Sequence, residues 1–322
     1  MTRPRASDRH AHLAALLDEN IRAYAPEFSG GLTNHAPMAL IARAWSGASD
    51  DEQSRFFETY RARLDARTAD AGEDVAAFGA RDAYALLRPT IEVCADESAA
   101  AAFHGLIRVR FAAAQGHLTE LLHALAYWRH ATSPLAELAR TPPGGLSLDD
   151  AVRALVDARV IAPPARSIRA RQASLVSDAR FVGVARSLAA GERDDDFARL
   201  AETARALYVA RDDFTSLHAL TGAEAAWIVA RYDHARARLY RATAHGVLAC
   251  VANSDGPIRD ERREDAFVRE SAPPWDEIAR AACAPDDDHV AKLFVACRSL
   301  DALAPHALWR ALAHDRVARG QA

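Results

Sequence analysis

Apolar residues recur at three- and four-residue intervals along most of this chain. The first such segment, His12 to Ala25, carries them at Leu13, Leu16, Leu17, Ile21 and Tyr24. This spacing places apolar side chains on one face of an α-helix. It predicts further helices over Pro37–Trp45, Ser54–Leu64, Ser98–Trp128, Asp149–Val156, Asp195–Ala210, Thr221–Ala252 and His289–Cys297, and one more near the C-terminus. The alternating pattern and the Asn-Gly turns of β-hairpins are absent from the sequence, so we expect an all-α fold.

Prolines and glycines predict where these helices end. Gly116 should break the long apolar segment that runs from Ser98 to Trp128. The stretch Thr141–Gly145 (TPPGG) is the best candidate for a linker, and it would divide the chain into helical halves 1–140 and 146–322. Each half is large enough to be a subdomain. Because the histidines of interest lie on both sides of this stretch, we expect one multi-helical domain over 1–322, with its halves packed around a central pocket.

The composition excludes several classes of protein. With 322 residues, of which 50% are hydrophobic and 26% charged, the chain is neither disordered nor fibrous. A net charge of -4 gives no basic excess, so we expect no nucleic-acid partner. No run of about 20 apolar residues is present, so we expect no membrane partner. The N-terminus has no hydrophobic run typical of a secretory signal, which predicts a cytoplasmic protein. The cysteines lack CxxC spacing, which argues against a disulfide scaffold and a cysteine-bound zinc.

The common catalytic motifs are also missing. The sequence has no GxGxxG after a strand, no GxxxxGK[ST], no GxSxG and no HExxH. It has one ExxH, Glu120–His123, whereas the helical di-iron carboxylate proteins need two. The sequence therefore predicts neither a familiar nucleotide cradle nor a di-iron site.

Four of the 13 histidines lie in unusual settings. His35 follows a Gly30–Gly31 loop in GGLTNHAPMAL, where Thr33 or Asn34 can cap the next helix. The backbone N–H groups at that helix start favour an anionic ligand. Alternatively, Asn34 and His35 only satisfy the cap.

His104 lies in AFHGLIR, and Arg108 follows it one turn later on the same helix face. This pair either binds something anionic, or His104 is a core residue bonded to a carbonyl with Arg108 at the surface. His218 lies in the apolar segment FTSLHALTG, which indicates a buried polar contact.

His289 opens HVAKLFVAC, one turn before Lys292, the only lysine of the chain. A lysine in a chain that otherwise uses arginine points to a need for an ammonium group. The alternative is a histidine at a helix start beside a solvated lysine. Four histidines on four separate helices, each beside apolar residues, can converge on one cavity. Neutral imidazoles there could take a proton, give one or bind a metal.

The same segments resemble the questin oxidase-like family. The similarity lies in GGLTNHAPMAL, AFHGLIR with LAYW (Leu125–Trp128), FTSLHALTG and HVAKLFVAC, which occur in the order found in the family. The resemblance implies an oxidoreductase. Characterised members are fungal enzymes of aromatic polyketide pathways that open a quinone ring by Baeyer–Villiger-type oxygen insertion. The resemblance implies that six positions of this chain belong to the functional site: His35, His104, His218, His289, Asn34 and Lys292.

This chain also departs from the family. Glu224 stands where members often carry a further histidine, and Gln115 stands where many carry a glutamate. The resemblance implies NADPH as a cofactor, but no nucleotide-binding fingerprint is present. These differences leave the substrate and the electron donor open.

Together, these observations predict a monooxygenase-type oxidoreductase with a buried, histidine-lined pocket for a small phenolic or quinone compound. One histidine would remove a phenol proton, and the others, with Lys292 or Arg108, would stabilise charge on an oxygen. The predicted substrate-binding residues are Asn34, Arg108, Phe103, Trp128 and Phe214, with Phe111 and Trp227 as further apolar walls.

Two versions of this oxygenase and two other functions stay open at this point. The phenolate could react with oxygen without a cofactor, or a non-haem metal could lie on His104, His218 and a carboxylate such as Glu224. The chain could instead be a non-catalytic helical binding or scaffold protein that retains the pocket. A metal-dependent hydrolase could use the same histidines.

Overall fold

A computed structural model describes residues 6–68, 83–165, 167–232, 235–253, 256–269, 272–284 and 286–320. In these ranges the secondary structure is almost entirely helical, which confirms the predicted all-α class. The helices are α1 Ala6–Ala23, α2 Ala36–Trp45, α3 Asp50–Arg61, α4 Ala83–Cys94, α5 His104–Gln115, α6 Leu118–His130, α7 Ala136–Arg140, α8 Leu148–Asp157, α9 Ile168–Leu175, α10 Ala179–Ser187, α11 Asp194–Arg211, α12 Phe214–Val229, α13 Arg236–Val251, α14 Glu261–Arg269, α15 Trp275–Ala282, α16 Asp288–Leu303 and α17 Ala307–Gly320. Two short antiparallel strands, β1 Glu27–Phe28 and β2 Leu32–Thr33, form a hairpin between α1 and α2.

The chain folds into two compact units that interleave along the sequence. The first unit comprises residues 1–84, 111–127 and 267–322, and the second comprises residues 85–110 and 128–266. The core of the first unit includes Leu17, Leu40, Phe57, Phe294 and Trp309. The core of the second unit includes Phe103, Trp128, Phe181, Phe197 and Trp227. The segment Thr141–Gly145 lies inside the second unit, between α7 and α8.

Local sequence signals explain several helix boundaries. The side chain of Ser49 accepts a hydrogen bond from the Glu52 N–H, and the Glu52 carboxylate accepts one from the Ser49 N–H. This capping box begins α3 at Asp50, four residues before the start that apolar spacing predicts, because capping depends on polar residues. Gly116 has a φ of 76° and separates α5 from α6, which confirms the predicted break.

Two of the predicted helices are wrong in their extent. The segment Thr221–Ala252 forms two helices, because α12 ends at Val229 and α13 starts at Arg236. The segment that begins at Ser98 is not α-helical before His104, because residues 95–97 and 100–103 form short 3₁₀ turns. Alanine is a strong helix former, so the sequence Ala99–Ala102 gives no sign of this interruption.

Cys94, Cys250, Cys283 and Cys297 are all buried, and none of them forms a disulfide. In the part of the chain that the structure describes, no helix has the length and apolar character needed to cross a membrane.

Candidate functional site

The four predicted histidines are all largely buried, and each unit holds two of them. His35 and His289 belong to the first unit, and His104 and His218 belong to the second. The structure thus brings them together as two pairs, His35 with His289 and His104 with His218.

Of the two predicted capping side chains, Asn34 rather than Thr33 accepts a backbone hydrogen bond at the start of α2. Its side-chain oxygen accepts from the Ala36 N–H at 3.0 Å, and its amide nitrogen donates to Asn20 Oδ1 at 3.0 Å and to the Ala25 carbonyl at 3.1 Å. These contacts occupy the predicted substrate-binding amide of Asn34 with protein partners. The side chain of His35 makes no capping bond and its Nδ1 donates to the carboxylate of Asp288.

Asp288 is the centre of the first pair, and sequence analysis missed it. It is the first residue of α16 and is 7% exposed. Its Oδ2 atom contacts His35 Nδ1 and lies 3.4 Å from both His289 Nδ1 and Lys292 Nζ. The four-residue spacing of Asp288 and Lys292 was the signal available in the sequence, because such pairs meet on one helix face.

Burial and charge keep this cluster in a defined ionisation state. Burial alone would raise the pKa of Asp288, but the charge of Lys292 and the hydrogen bond from His35 outweigh it and hold the pKa well below its usual range. Burial, followed by the charge of Lys292, lowers the pKa of His35 to about 3 despite the contact with Asp288. The same two causes lower the pKa of His289. Both imidazoles are therefore neutral at pH 7, beside an ionised Asp288.

Lys292 is buried, at 4% exposure, so the alternative of a solvated lysine is wrong. Burial lowers the pKa of Lys292, and the neighbouring charge of Asp288 opposes that effect. Arg63, which sequence analysis also missed, lies 3.6 Å from Asp288 Oδ1 and stacks on the ring of Tyr60 at 3.9 Å. The Tyr60 hydroxyl in turn accepts the backbone N–H of His35 at 2.9 Å.

Like His35, His289 directs its Nδ1 atom towards a carboxylate. Its Nδ1 donates to Asp287 Oδ1 at 3.2 Å, and the backbone N–H of His289 donates to the same oxygen at 2.8 Å. The two rings meet edge to face, with centroids 4.8 Å apart. Since each Nδ1 carries the hydrogen of a neutral ring, each Nε2 carries a lone pair.

In the second pair, two ring nitrogens lie within hydrogen-bond distance of each other. His104 and His218 face each other through their Nε2 atoms, which are 3.0 Å apart. His104 Nδ1 contacts the Ala101 carbonyl, and His218 Nδ1 contacts the Phe214 carbonyl at 2.7 Å. A carbonyl only accepts hydrogen bonds, so both Nδ1 atoms must donate. In two neutral rings, both Nε2 atoms would then carry lone pairs, and neither could donate to the other.

Two lone pairs at 3.0 Å repel unless a cation lies between them. That cation can be one shared proton or a metal ion. Metal–imidazole bonds of about 2.0–2.1 Å place two ligands at a right angle about 2.9 Å apart, and at a tetrahedral angle about 3.4 Å apart. The observed spacing therefore fits two adjacent ligands of an octahedral or square-based site.

A strained turn precedes His104. Ala101, Ala102 and Phe103 have φ values of 46°, 56° and 67°, in the left-handed region that non-glycine residues avoid. Each such residue costs about 1–2 kcal/mol, so the turn stores several kcal/mol. The carbonyl that accepts the His104 Nδ1–H belongs to Ala101, inside this turn.

Glu224, a predicted metal ligand, pairs instead with Arg110. The Arg110 Nε donates to both Glu224 oxygens, at 2.9 and 3.0 Å, and both side chains are buried. Glu224 follows His218 by six residues, which places it about 9 Å further along the axis of α12. Arg108 is also buried, at 3% exposure, rather than at the surface.

The predicted aromatic walls have different surroundings. Phe214 is 54% exposed, and its ring lies 4.2 Å from that of His218. Trp128 is buried against α5, so close that a Cβ on Gly105 would lie 2.9 Å from the Cα of Trp128. In the first unit, Phe111 stacks on Trp45, whose indole N–H donates to Gln115.

His245, a histidine of the core, carries its ring hydrogen on Nε2 rather than on Nδ1. His245 is fully buried in α13, and its Nε2 donates to the Ala185 carbonyl at 2.9 Å. Burial lowers the pKa of His245 to about 4. The four predicted histidines differ from His245 because each has its Nδ1 held by an oxygen. Comparison of the sequence with models of known protein families and with curated proteins finds no match.

Proposed function

We propose that this protein is an oxidoreductase, similar to the questin oxidase-like family, that oxygenates a small phenolic or quinone compound. The observation that carries the proposal is the shared arrangement of His35, His104, His218 and His289. Each is largely buried and has its Nδ1 held by a carboxylate or carbonyl oxygen, which leaves Nε2 as the ring nitrogen that can bind a metal. Histidines that bind metals are oriented in this way by their outer partners.

The low pKa of His35 favours a role as a lone-pair donor over a role as a base. With a pKa of about 3, His35 would take a proton from a phenol, whose own pKa is near 10, only at a large energetic cost. The energetic cost of burial is much smaller for an imidazole that stays neutral and binds a metal than for one that must take up a proton. His35 is therefore a poor candidate for the base of the cofactor-free version. The 3.0 Å contact between His104 Nε2 and His218 Nε2 is the reason that we favour the metal-dependent version.

His104 and His218 are the residues that would hold the metal. Their Nε2 spacing fits adjacent ligands, and their Nδ1–H groups are fixed by the Ala101 and Phe214 carbonyls. Imidazole ligands suit iron, copper, nickel and zinc. A redox-active metal bound there would supply the activation of dioxygen.

The exposed ring of Phe214 supports an aromatic substrate. It lies beside His218 and is 54% exposed, so a compound from solvent can reach it. A flat aromatic compound could stack on this ring and bring its oxygen atoms near the histidine pair.

The electrons of the reaction come from the substrate in this proposal. Without an external reductant, both atoms of dioxygen enter the product: one C–C bond of the phenol or hydroquinone ring breaks, and each of its two carbons gains one oxygen atom. This ring opening is a dioxygenation and differs in that respect from the monooxygenase-type reaction that the sequence predicts. NADPH, which the family resemblance implies, has no cradle in the described residues, where the only strands are β1 and β2 of two residues each. We therefore assign no step to NADPH.

Metal analysis and oxygen uptake test the proposal together. The purified protein should contain a stoichiometric transition metal and consume oxygen with a hydroxylated anthraquinone or hydroquinone. Labelled dioxygen should give a product that contains two labelled atoms. His218→Gln should lose both metal and oxygen uptake, whereas His245→Gln, at an equally buried histidine of the same unit, should retain the metal.

Three outcomes would contradict the proposal. Full activity without metal would favour the cofactor-free phenolate mechanism. Binding of the aromatic compound without oxygen uptake would favour a scaffold protein. Hydrolysis of an ester or amide at a bound zinc, again without oxygen uptake, would favour the hydrolase.

A further inference from the structure

Phe103 occupies a narrow slot between two helices, immediately before His104. The ring is 1% exposed and lies against Gly222 of α12 and Gly246 of α13. A Cβ on Gly222 would lie 2.5 Å from Phe103 Cγ, and one on Gly246 would lie 2.5 Å from Phe103 Cζ. Neither position accepts an alanine without moving the ring, so the two glycines define where the ring sits.

This slot relates the two histidines of the second pair. Gly222 follows His218 by one turn of α12, so both lie on the same face of that helix. Phe103 is covalently joined to His104. The contact between Phe103 and Gly222 therefore sets the position of His104 against that of His218.

The slot also accounts for the strained turn. In a right-handed α-helix, the Ala101 carbonyl would accept the N–H of residue 105 along the helix axis. The left-handed conformation of residues 101–103 directs it instead to His104, whose backbone N–H and Nδ1 both contact this oxygen. Such strain persists only where the surrounding structure holds it. Phe103 is the last residue of the strained turn, and its ring is wedged between the two helices.

We propose that Phe103 is a positioning residue, which holds this turn so that the Ala101 carbonyl keeps the hydrogen of His104 on Nδ1. The Nε2 lone pair of His104 then faces that of His218. The importance of this geometry for turnover rests on the proposed function, but the tautomer of His104 can be measured without substrate or metal.

Nitrogen NMR of the metal-free, full-length protein labelled with ¹⁵N-histidine tests the proposal. Long-range correlations separate protonated from unprotonated ring nitrogens, and the spectrum of His104→Gln assigns the signal of His104. In Phe103→Leu, the Nδ1 signal of His104 should move towards the unprotonated position. Phe181→Leu is the matched control, because Phe181 is an equally buried phenylalanine of the same unit. It should lower the melting temperature by a similar amount and leave the His104 signal unchanged.

Gly222→Ala provides a second route to the same displacement. It should shift the His104 signal in the same direction as Phe103→Leu, and the double variant should shift it less than the sum of the two. Gly183→Ala is the control, because a Cβ on Gly183 meets nothing within 4 Å. The proposal is overturned if His104 Nδ1 stays protonated in both Phe103→Leu and Gly222→Ala.

The outcomes also separate this proposal from the proposed function. A tautomer that responds to Phe103→Leu, in a protein that consumes no oxygen, would support the positioning role and contradict the oxygenase. Oxygen uptake by the wild type, with a His104 tautomer that neither variant changes, would do the reverse.

Discussion

Acidification from pH 6 to pH 4 should destabilise the fold through His35, whose ring is neutral in the folded protein. Burial, and then the charge of Lys292, lower the pKa of His35 from 6.5 to about 3. Between these values the unfolded chain binds a proton that the folded chain does not, so the free energy of unfolding falls as the pH falls. Each pH unit in this window is worth about 1.4 kcal/mol, which gives a loss of about 2–3 kcal/mol between pH 6 and pH 4.

Urea unfolding followed by circular dichroism at pH 4, 5, 6 and 7 would measure this effect. His35→Asn removes the group, so its free energy of unfolding should vary less with pH by the amount above. Tyr60→Phe is the control: it removes the acceptor of the His35 backbone N–H but keeps the buried imidazole, so it should retain the wild-type slope. Parallel slopes for the wild type and His35→Asn between pH 4 and pH 6 would refute the reasoning, because His35 would then protonate as readily in the folded protein as in the unfolded one.

Three further predictions concern stability alone, and urea or thermal unfolding checks each. Lys292→Met leaves Asp288 buried without its ammonium partner, so it should lower the free energy of unfolding by about 3–5 kcal/mol. Adding Asp288→Asn should recover part of that loss, and additive effects of the two substitutions would contradict this prediction. Ala102→Gly should stabilise the protein by about 1 kcal/mol, because glycine adopts a φ of 56° without strain; a lower melting temperature would contradict it. Gly105→Ala should cost about 1–3 kcal/mol, since its Cβ would meet the α6 backbone at 2.9 Å, whereas Gly183→Ala in open space should be neutral or stabilising.

The site could be predicted from the sequence at the level of its histidines but not of their partners. His35, His104, His218 and His289 each stand beside apolar residues on a helix, and that pattern predicts burial. The signal for Asp288, its four-residue spacing from Lys292, was weaker, because an acidic residue at the start of a helix usually serves only as a cap and first-turn charge. Its role depends on His35, 253 positions away in the sequence.

The strained turn before His104 is the clearest case that sequence reasoning missed. Alanines favour helices, so the residues before His104 predict a continuous helix from Ser98. In the proposal above, the packing of Phe103 against two glycines of other helices holds Ala101 and Ala102 in the left-handed conformation. Helix propensity amounts to less than 1 kcal/mol per residue, whereas the left-handed turn costs several kcal/mol, so tertiary packing of the buried ring has to offset both.

The sequence by itself determined the helical class, most helix positions, and the burial of four histidines, because periodic apolar spacing and capping residues act over a few neighbouring positions. Only the tertiary structure decided the pairing of those histidines, the oxygens that hold each Nδ1, and the interleaving of the two units. The physical reason is that these features depend on contacts between helices distant in sequence, whose geometry is set by side-chain packing.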